Sequence, residues 1–272
     1  MSETELIVRL DTELVLPVEI DFEADRQTHS TVEAADLKFP FLQLLQDGSP
    51  LVKKGPRKLA DSEAGMILNT LTGELFSGEI GIPVLPVTTS IRKYDEWIPQ
   101  DEGGGFRGSY FPDHIRVTSA KPGERRGTLI PLDNPEGTEL IETAYFFLVF
   151  PQTLTWAVCT MASKKWQSAR TWNTLIDGVR FKGKNGLYPP APYAVQYRLG
   201  TVQVDNKGKE PSYIYTVKSE GRVTDANVYT YAKEFAQKFV AKVQAGEVEV
   251  KPTSSEQADN NAGKSDADEC AF

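Results

Sequence analysis

Apolar positions in this chain come in short alternating or continuous blocks through the middle and thin out at both ends. Phe39, Phe41, Leu42, Leu44 and Leu45 form a dense segment that stops at Asp47-Gly48-Ser49-Pro50, a strong turn signal. A Gly-Pro-containing loop with Lys53, Lys54, Arg57 and Lys58 follows. Residues 66–69 and 74–76 flank Leu71-Thr72-Gly73 and predict a hairpin. Residues 80–88 are rich in Val, Ile and Leu, and Pro83 and Pro86 predict an edge or bulged strand. Residues 144–150 are continuously apolar, while Leu154, Trp156 and Val158 alternate, which predicts a second hairpin across Pro151-Gln152-Thr153. Ser163 reads as the N-cap of a helix that runs to about Ile176 and stops at Asp177-Gly178. Tyr193, Val195, Tyr197 and Leu199 share one strand face, and the phase shifts after Gly200 as a bulge would shift it. Asn206-Lys207-Gly208 turns the chain into Tyr213, Tyr215 and Val217. The last element is an amphipathic helix from about Asp225 to Gln244, with Val228, Tyr231, Phe235, Phe239 and Val243 on one stripe and Gly246 as its stop.

These elements predict a mainly β (α+β) fold. Strands at 80–88, 144–150 and 154–160, a helix at 163–176, then strands at 193–204 and 213–218 give the string of an OB-fold-like five-stranded barrel. Its helix falls between strands 3 and 4, and a C-terminal amphipathic helix is appended. An α+β sandwich would give a similar string. Residues 99–143, with Gly103-Gly104-Gly105, form a large loop insertion, and loops of that length are usually functional or mobile. Residues 1–36 alternate weakly (Leu6, Val8, Leu10; Val18, Ile20, Phe22) and fit either edge strands or a flexible acidic arm. Residues 252–272 lack apolar periodicity and cannot bury enough surface to offset their ordering entropy, so a disordered tail is expected after the 37–251 domain.

Charge changes this picture. The net charge is −8. Residues 1–36 hold ten acids against two cations, and residues 252–272 hold five against one. The body between them keeps 27 Lys/Arg against 23 Asp/Glu, a net +4. A mildly basic body between acidic ends predicts a tail that competes with a polyanion for basic surface. The terminus supports a hook: Phe272 can fill a pocket on a partner while Asp266, Asp268 and Glu269 meet its cations. A frayed polar end is the plainer alternative.

Enzyme chemistry finds little footing. His29 and His114 are isolated, and Cys159 and Cys270 give neither zinc-ligand spacing nor a disulfide framework. The glycine run lacks the Gly-Lys-Ser/Thr ending of a phosphate loop. No enzyme, cofactor or metal is expected. The start Met-Ser-Glu-Thr-Glu carries no signal-peptide pattern and residues 144–151 are too short to span a bilayer, so the expected location is a reducing cytoplasm, without membrane partners.

Interleaved cations and rings are the better-developed pattern. Arg92, Lys93, Tyr94 and Trp97, then Phe106, Arg107, Tyr110 and Arg116, surround the glycine-rich excursion. Single-strand binders place cations along phosphates and open ring faces beneath bases, at roughly 1–3 kcal/mol per stacked base. Tyr94 and Trp97 fit equally well as caps of the barrel core. On the helix after Ser163, residues at 100° steps put Ala162, Ala169, Trp172, Leu175 and Ile176 toward the sheet. Trp166 then falls on a flanking side with Arg170, where Lys164 and Lys165 add charge; it is either a stacking residue or a rim residue of the barrel. Arg180, Lys182 and Lys184 form a glycine-spaced basic loop, and Lys207 and Lys209 sit at the last hairpin tip. In an OB-fold the first-to-second and fourth-to-fifth strand loops flank the binding face.

With these residues in view, the chain resembles the single-stranded DNA-binding proteins of tailed bacteriophages, of the OB-fold type with an acidic, aromatic-terminated tail. The resemblance rests on Asp266, Asp268, Glu269 and Phe272, on the strand order, and on Ser-Lys-Lys-Trp…Trp-Asn across 163–173. That segment, with Asn69-Thr70-Leu71-Thr72-Gly73-Glu74 and Tyr94…Trp97…Gly-Gly-Gly, looks like phage proteins of replication clusters. The tail departs from bacterial relatives in holding Cys270-Ala271 where they place Ile-Pro, and the 99–143 insertion exceeds a simple OB loop. The resemblance implies a non-catalytic protein, in the host cytoplasm, that coats single-stranded DNA in replication and recombination. It also implies a tail that recruits replication proteins or occupies the DNA groove, in a chain that can self-associate. The alternative from another class is a virion or assembly protein with acidic contact ends. A third is a metal-dependent nuclease or annealing recombinase.

Overall fold

The computed structural model describes residues 38–98, 105–125, 127–134, 137–206 and 209–251. The chain divides between Leu37 and Lys38 into two units, and every described residue belongs to the second. Residues 1–36, the tail with Asp266, Asp268, Glu269 and Phe272, and Lys207 lie outside the described residues, and Lys209 is described as backbone only.

The described chain is mainly β. In order it forms β1 (Phe41–Leu44), β2 (Ile67–Asn69), β3 (Leu75–Phe76), β4 (Ile82–Pro86), β5 (Ile91–Ile98) and β6 (Gly105–Tyr110). A four-residue helix α1 (Ile115–Thr118) precedes β7 (Lys121–Pro122), β8 (Thr128–Ile130), β9 (Glu139–Phe150) and β10 (Thr155–Ala162). Helix α2 (Trp166–Gly178), the hairpin β11 (Phe181–Gly183) and β12 (Gly186–Tyr188), and the long pair β13 (Val195–Asn206) and β14 (Lys209–Arg222) follow. The chain then enters α3 (Ala226–Phe235), a π-helical turn over 236–240, and α4 (Ala241–Gln244). One 12-stranded sheet runs in the order β14-β13-β4-β9-β10-β1-β2-β3, with β5, β6, β7 and β8 attached beside β9.

The five expected strands are present within this larger set, but the added strands change their setting. The proline-bearing β4 is interior, not an edge. It escapes the proline penalty by dividing its partners: Ile82, Pro83 and Val84 pair with β13, whereas Leu85 and Pro86 pair with β9. Most of the 99–143 insertion that is described is built structure. β5 pairs with β6 on one side and with β9 on the other, and β8 pairs with β9. Its polar residues find partners far away in sequence, which no local pattern reveals.

The apolar run in β9 is buried on both faces. Ala144, Phe146, Leu148 and Phe150 belong to the main core with Trp172 and Ile176 of α2, and Phe146 stacks on Trp172 at 4.4 Å between centroids. Tyr145, Phe147 and Val149 face the other way and are also buried. There the C-terminal helices supply Phe235 and Phe239, which stack on each other at 5.2 Å and on Trp156 at 5.0 Å. Asp225 caps α3 by accepting from the amides of Asn227 and Val228. The expected stripe packs inward, with Val228 and Val243 buried and Phe235 and Phe239 in the aromatic cluster, and the π turn brings Val240 into the buried set as well. Ser163 is not an N-cap: it sits in the left-handed region at φ 50° and opens a 3-10 turn over 163–165, and α2 starts after Lys165 without a side-chain cap.

The curled sheet closes through side chains. Between β1 and β14, Gln46 imitates a peptide unit: its Nε2 donates to the Tyr213 carbonyl and its Oε1 accepts from the Tyr213 amide, both at 2.9 Å. Tyr215 Oη donates to the Leu42 carbonyl at 3.0 Å, and Ser168 Oγ from α2 donates to the Tyr215 carbonyl at 2.6 Å.

Candidate nucleic-acid interface

Strand direction decides which residues share an end of the curled sheet. β1 and β10 are parallel, with Phe41 beside Val158 and Leu42 beside Cys159, so both leave the sheet at the same end. After β10 come Ser163, Lys164, Lys165 and Trp166; after β1 comes the loop that carries Lys53, Lys54, Arg57 and Lys58. Tyr213 meets Gln46 while Tyr215 reaches back to Leu42, which sets the β13–β14 tip, with Lys209, at that end too. Lys165 Nζ lies 5.9 Å from the Tyr215 ring centroid.

An aromatic ledge stands at this end. Arg92, Tyr94 and Glu96 share one face of β5, and the register puts Tyr110 of β6 and Glu142 of β9 on either side of Tyr94. The Arg92 guanidinium sits 5.7 Å over the Trp166 ring and its Nε is 2.5 Å from Glu142. Tyr110 lies against His114 at 4.7 Å. Trp166, Tyr94 and Tyr110 are half-buried. Lys164 and Arg170 are exposed and meet no carboxylate among the described residues. Asn173 fixes α2 to the adjoining loop, accepting from the Ser90 amide at 3.1 Å and donating to Ser90 Oγ at 2.7 Å.

The ledge is anchored by carboxylates that sequence reasoning missed. Glu96 is 1% exposed and accepts from Arg116 Nε at 2.6 Å and from Thr138 Oγ1 at 2.5 Å, with a second contact from Arg116 Nη2. Burial opposes its charge, but the Arg116 and Thr138 bonds win and hold its carboxyl below the usual range. Arg125 pairs with Glu139 in the same region. Glu139 and Glu142 at the start of the apolar run were the available signal, and it shows only once β5 is known to be their neighbour.

Two of the expected ring and cation residues are core. Lys93, 3% exposed, lies on the opposite face of β5, with its Nζ 4.7 Å from the Phe111 ring; burial lowers its pKa. Beside it Asp95 accepts from Tyr145 Oη and Ser109 Oγ, each at 2.7 Å, and burial raises its pKa. Trp97, 4% exposed, meets the half-buried Phe106 edge-on at 5.4 Å. Buried on a strand that pairs with β6 and β9, neither Lys93 nor Trp97 is open to a ligand. Arg107 is exposed on β6.

The basic loop at 180–184 belongs elsewhere. With 13 residues, α2 is about 20 Å long at 1.5 Å per residue, and the β11–β12 hairpin leaves its far end. Arg180 donates to the Asp177 and Val179 carbonyls. Lys182 and Lys184 are exposed, Arg222 stacks over Phe181 at 4.2 Å, and Leu187 and Tyr188 stand in solvent. The sequence-predicted cations therefore divide between two sites at opposite ends of α2.

Among the described residues no group of three or more His, Cys, Asp or Glu could hold a metal ion, and no helix is long and apolar enough to cross a membrane. The buried Cys159 thiol is pushed up to about 12 by desolvation. No curated protein and no solved structure matches the chain. A family model described as Pam3 phage gp34-like protein matches residues 11–248, and the chain belongs to that family.

Proposed function

We propose that this protein binds single-stranded DNA without catalysis, in phage-type replication or recombination, through the end of the barrel that bears Trp166. The observation that carries this reading is the ledge. Trp166, Tyr94 and Tyr110 offer ring area beside Arg92, Lys164, Lys165 and Arg170, the mixture that stacking and phosphate contact require. The neighbour order β14-β13-β4-β9-β10, with α2 between β10 and β13, supports an OB-fold barrel whose closure is completed by the added β1. The net +4 of the body and the acidic tail support competition between tail and DNA, with the tail free to recruit replication partners when DNA is bound.

The paired guanidinium over Trp166 gives the site a gate. A base that stacks on the ring must either displace Arg92 toward Glu142 or sandwich the guanidinium. Titration of a labelled thymidine oligonucleotide by fluorescence anisotropy, across a salt series and against duplex of the same length, tests the reading. Micromolar or tighter binding that weakens steeply with salt and prefers the single strand is expected. Binding absent even at low salt would rule it out.

A virion or assembly role is favoured by a different observation. Ile115 and Leu132 are exposed on the insertion, where Arg116 and Arg125 are already neutralised by Glu96 and Glu139. Salt-independent indifference to DNA together with association of the protein with particles would select that role.

A further inference from the structure

We infer that the crown of the β1–β2 loop, residues 52–58, is a second contact for the same single-stranded DNA, one that touches phosphates only. The inference rests on the proposed DNA binding and extends it to residues outside the ledge. Lys53, Lys54, Arg57 and Lys58 are all exposed, and none meets a carboxylate among the described residues. No acid and no aromatic ring interrupts the crown; Asp47, Asp61 and Glu63 lie at its feet.

The crown is a built feature. The Leu59 amide donates to the Leu51 carbonyl at 3.0 Å and closes the loop at its neck. Ser62, 3% exposed, pins that neck by donating to the Leu51 and Leu59 carbonyls at 2.5 and 2.9 Å. The fully buried Ser49 accepts at its Oγ from the Leu51 amide at 3.1 Å and takes the Val52 and Lys53 amides on its carbonyl. Four cations are thus held on a short closed arc, at the barrel end shared with Lys164, Lys165 and Trp166. Cations without rings fit a repeating anion and give no means of stacking bases, so a strand anchored by its bases on the ledge would run its phosphates over this crown.

The test uses the full chain and a thymidine oligonucleotide, with Lys53→Gln, Lys54→Gln, Arg57→Gln and Lys58→Gln combined. Each phosphate contact on a single strand contributes about 0.7 to the slope of log K against log salt, so four contacts predict a slope lower by about 3. Trp166→Ala should weaken binding with the slope unchanged. A charge-retaining variant, with the three lysines changed to arginine, should keep the wild-type slope and serves as the folding control. If wild type binds and the quadruple variant keeps its slope, this inference fails alone. A wild type that binds nothing removes the proposed function and this contact together. If the slope changes in the full chain but not after deletion of 253–272, the crown's occupant is the acidic tail, and the DNA assignment is overturned.

Discussion

Replacing Gln46 by alanine removes one of the side chains that tie β1 to β14 across the seam of the curled sheet. Gln46 makes two 2.9 Å hydrogen bonds to one residue, to the amide and the carbonyl of Tyr213, and both groups are partly buried. A typical intramolecular bond is worth about 0.5–1.5 kcal/mol net, so losing the pair costs about 2 kcal/mol. Tyr215 still bonds the Leu42 carbonyl, and Ser168 still bonds Tyr215, so the seam should loosen at the Tyr213 end and hold at the other. At about 2–4 °C per kcal/mol for a chain of this size, the melting temperature should fall by about 4–8 °C. Urea unfolding gives the free energy, and native-state hydrogen exchange gives the location. The Tyr213 amide should lose protection in the variant while amides of β9 keep theirs. A variant within about 0.5 kcal/mol of wild type, with Tyr213 still protected, would mean that the seam is closed by something other than Gln46.

Glu96→Gln should destabilise the insertion by about 3 kcal/mol at neutral pH, because it leaves Arg116 facing a neutral partner in a largely buried clamp. Since the folded-state pKa of Glu96 lies below its ordinary value, its contribution is present above the unfolded value and is lost as pH falls through the folded one. The stability gap between wild type and Glu96→Gln, measured by urea unfolding from neutral pH downward, should therefore hold near neutrality and shrink below pH ~4.5. Asp95, with its raised pKa, acts in the opposite sense and is common to both proteins, so a gap that widens in acid would contradict the clamp. Deleting residues 253–272 should tighten binding to a thymidine oligonucleotide at low salt, with the difference closing as salt rises; anisotropy isotherms that superimpose would dispose of tail competition.

Legibility in the sequence followed the range of the interactions. Periodicity located β9, β10, α2 and the long β13–β14 hairpin because burial there is decided by neighbours two to four residues away. It placed Trp172 in the core and Trp166 on the flank for the same reason. Strand β5 was opaque: Arg-Lys-Tyr-Asp-Glu-Trp reads as an exposed polar stretch until Tyr145, Ser109, Arg116 and Thr138 are known to satisfy it. Those partners lie 14 to 50 residues away, and no local rule brings them together. That is why Lys93 and Trp97 read as ligand-facing residues. The π turn after Phe235 likewise has no local signature, and it adds Val240 to the buried residues beside the expected Phe239. The link between β1 and β14 also depends on hydrogen bonds across long separations, between Gln46 and Tyr213, 167 residues apart, and between Leu42 and Tyr215, 173 residues apart.

Tryptophan fluorescence offers the most direct reading of the ledge. Of the four tryptophans, Trp97 and Trp172 are buried and Trp156 is covered by Phe39, Phe235 and Phe239. Trp166 alone among them borders the proposed groove. Adding a thymidine oligonucleotide should quench the wild-type emission in a saturable, salt-sensitive manner, and Trp166→Phe should bind with little quenching. Undiminished quenching in Trp166→Phe, or an oligonucleotide that leaves the wild-type spectrum unchanged while bound, would place the DNA somewhere else on the molecule.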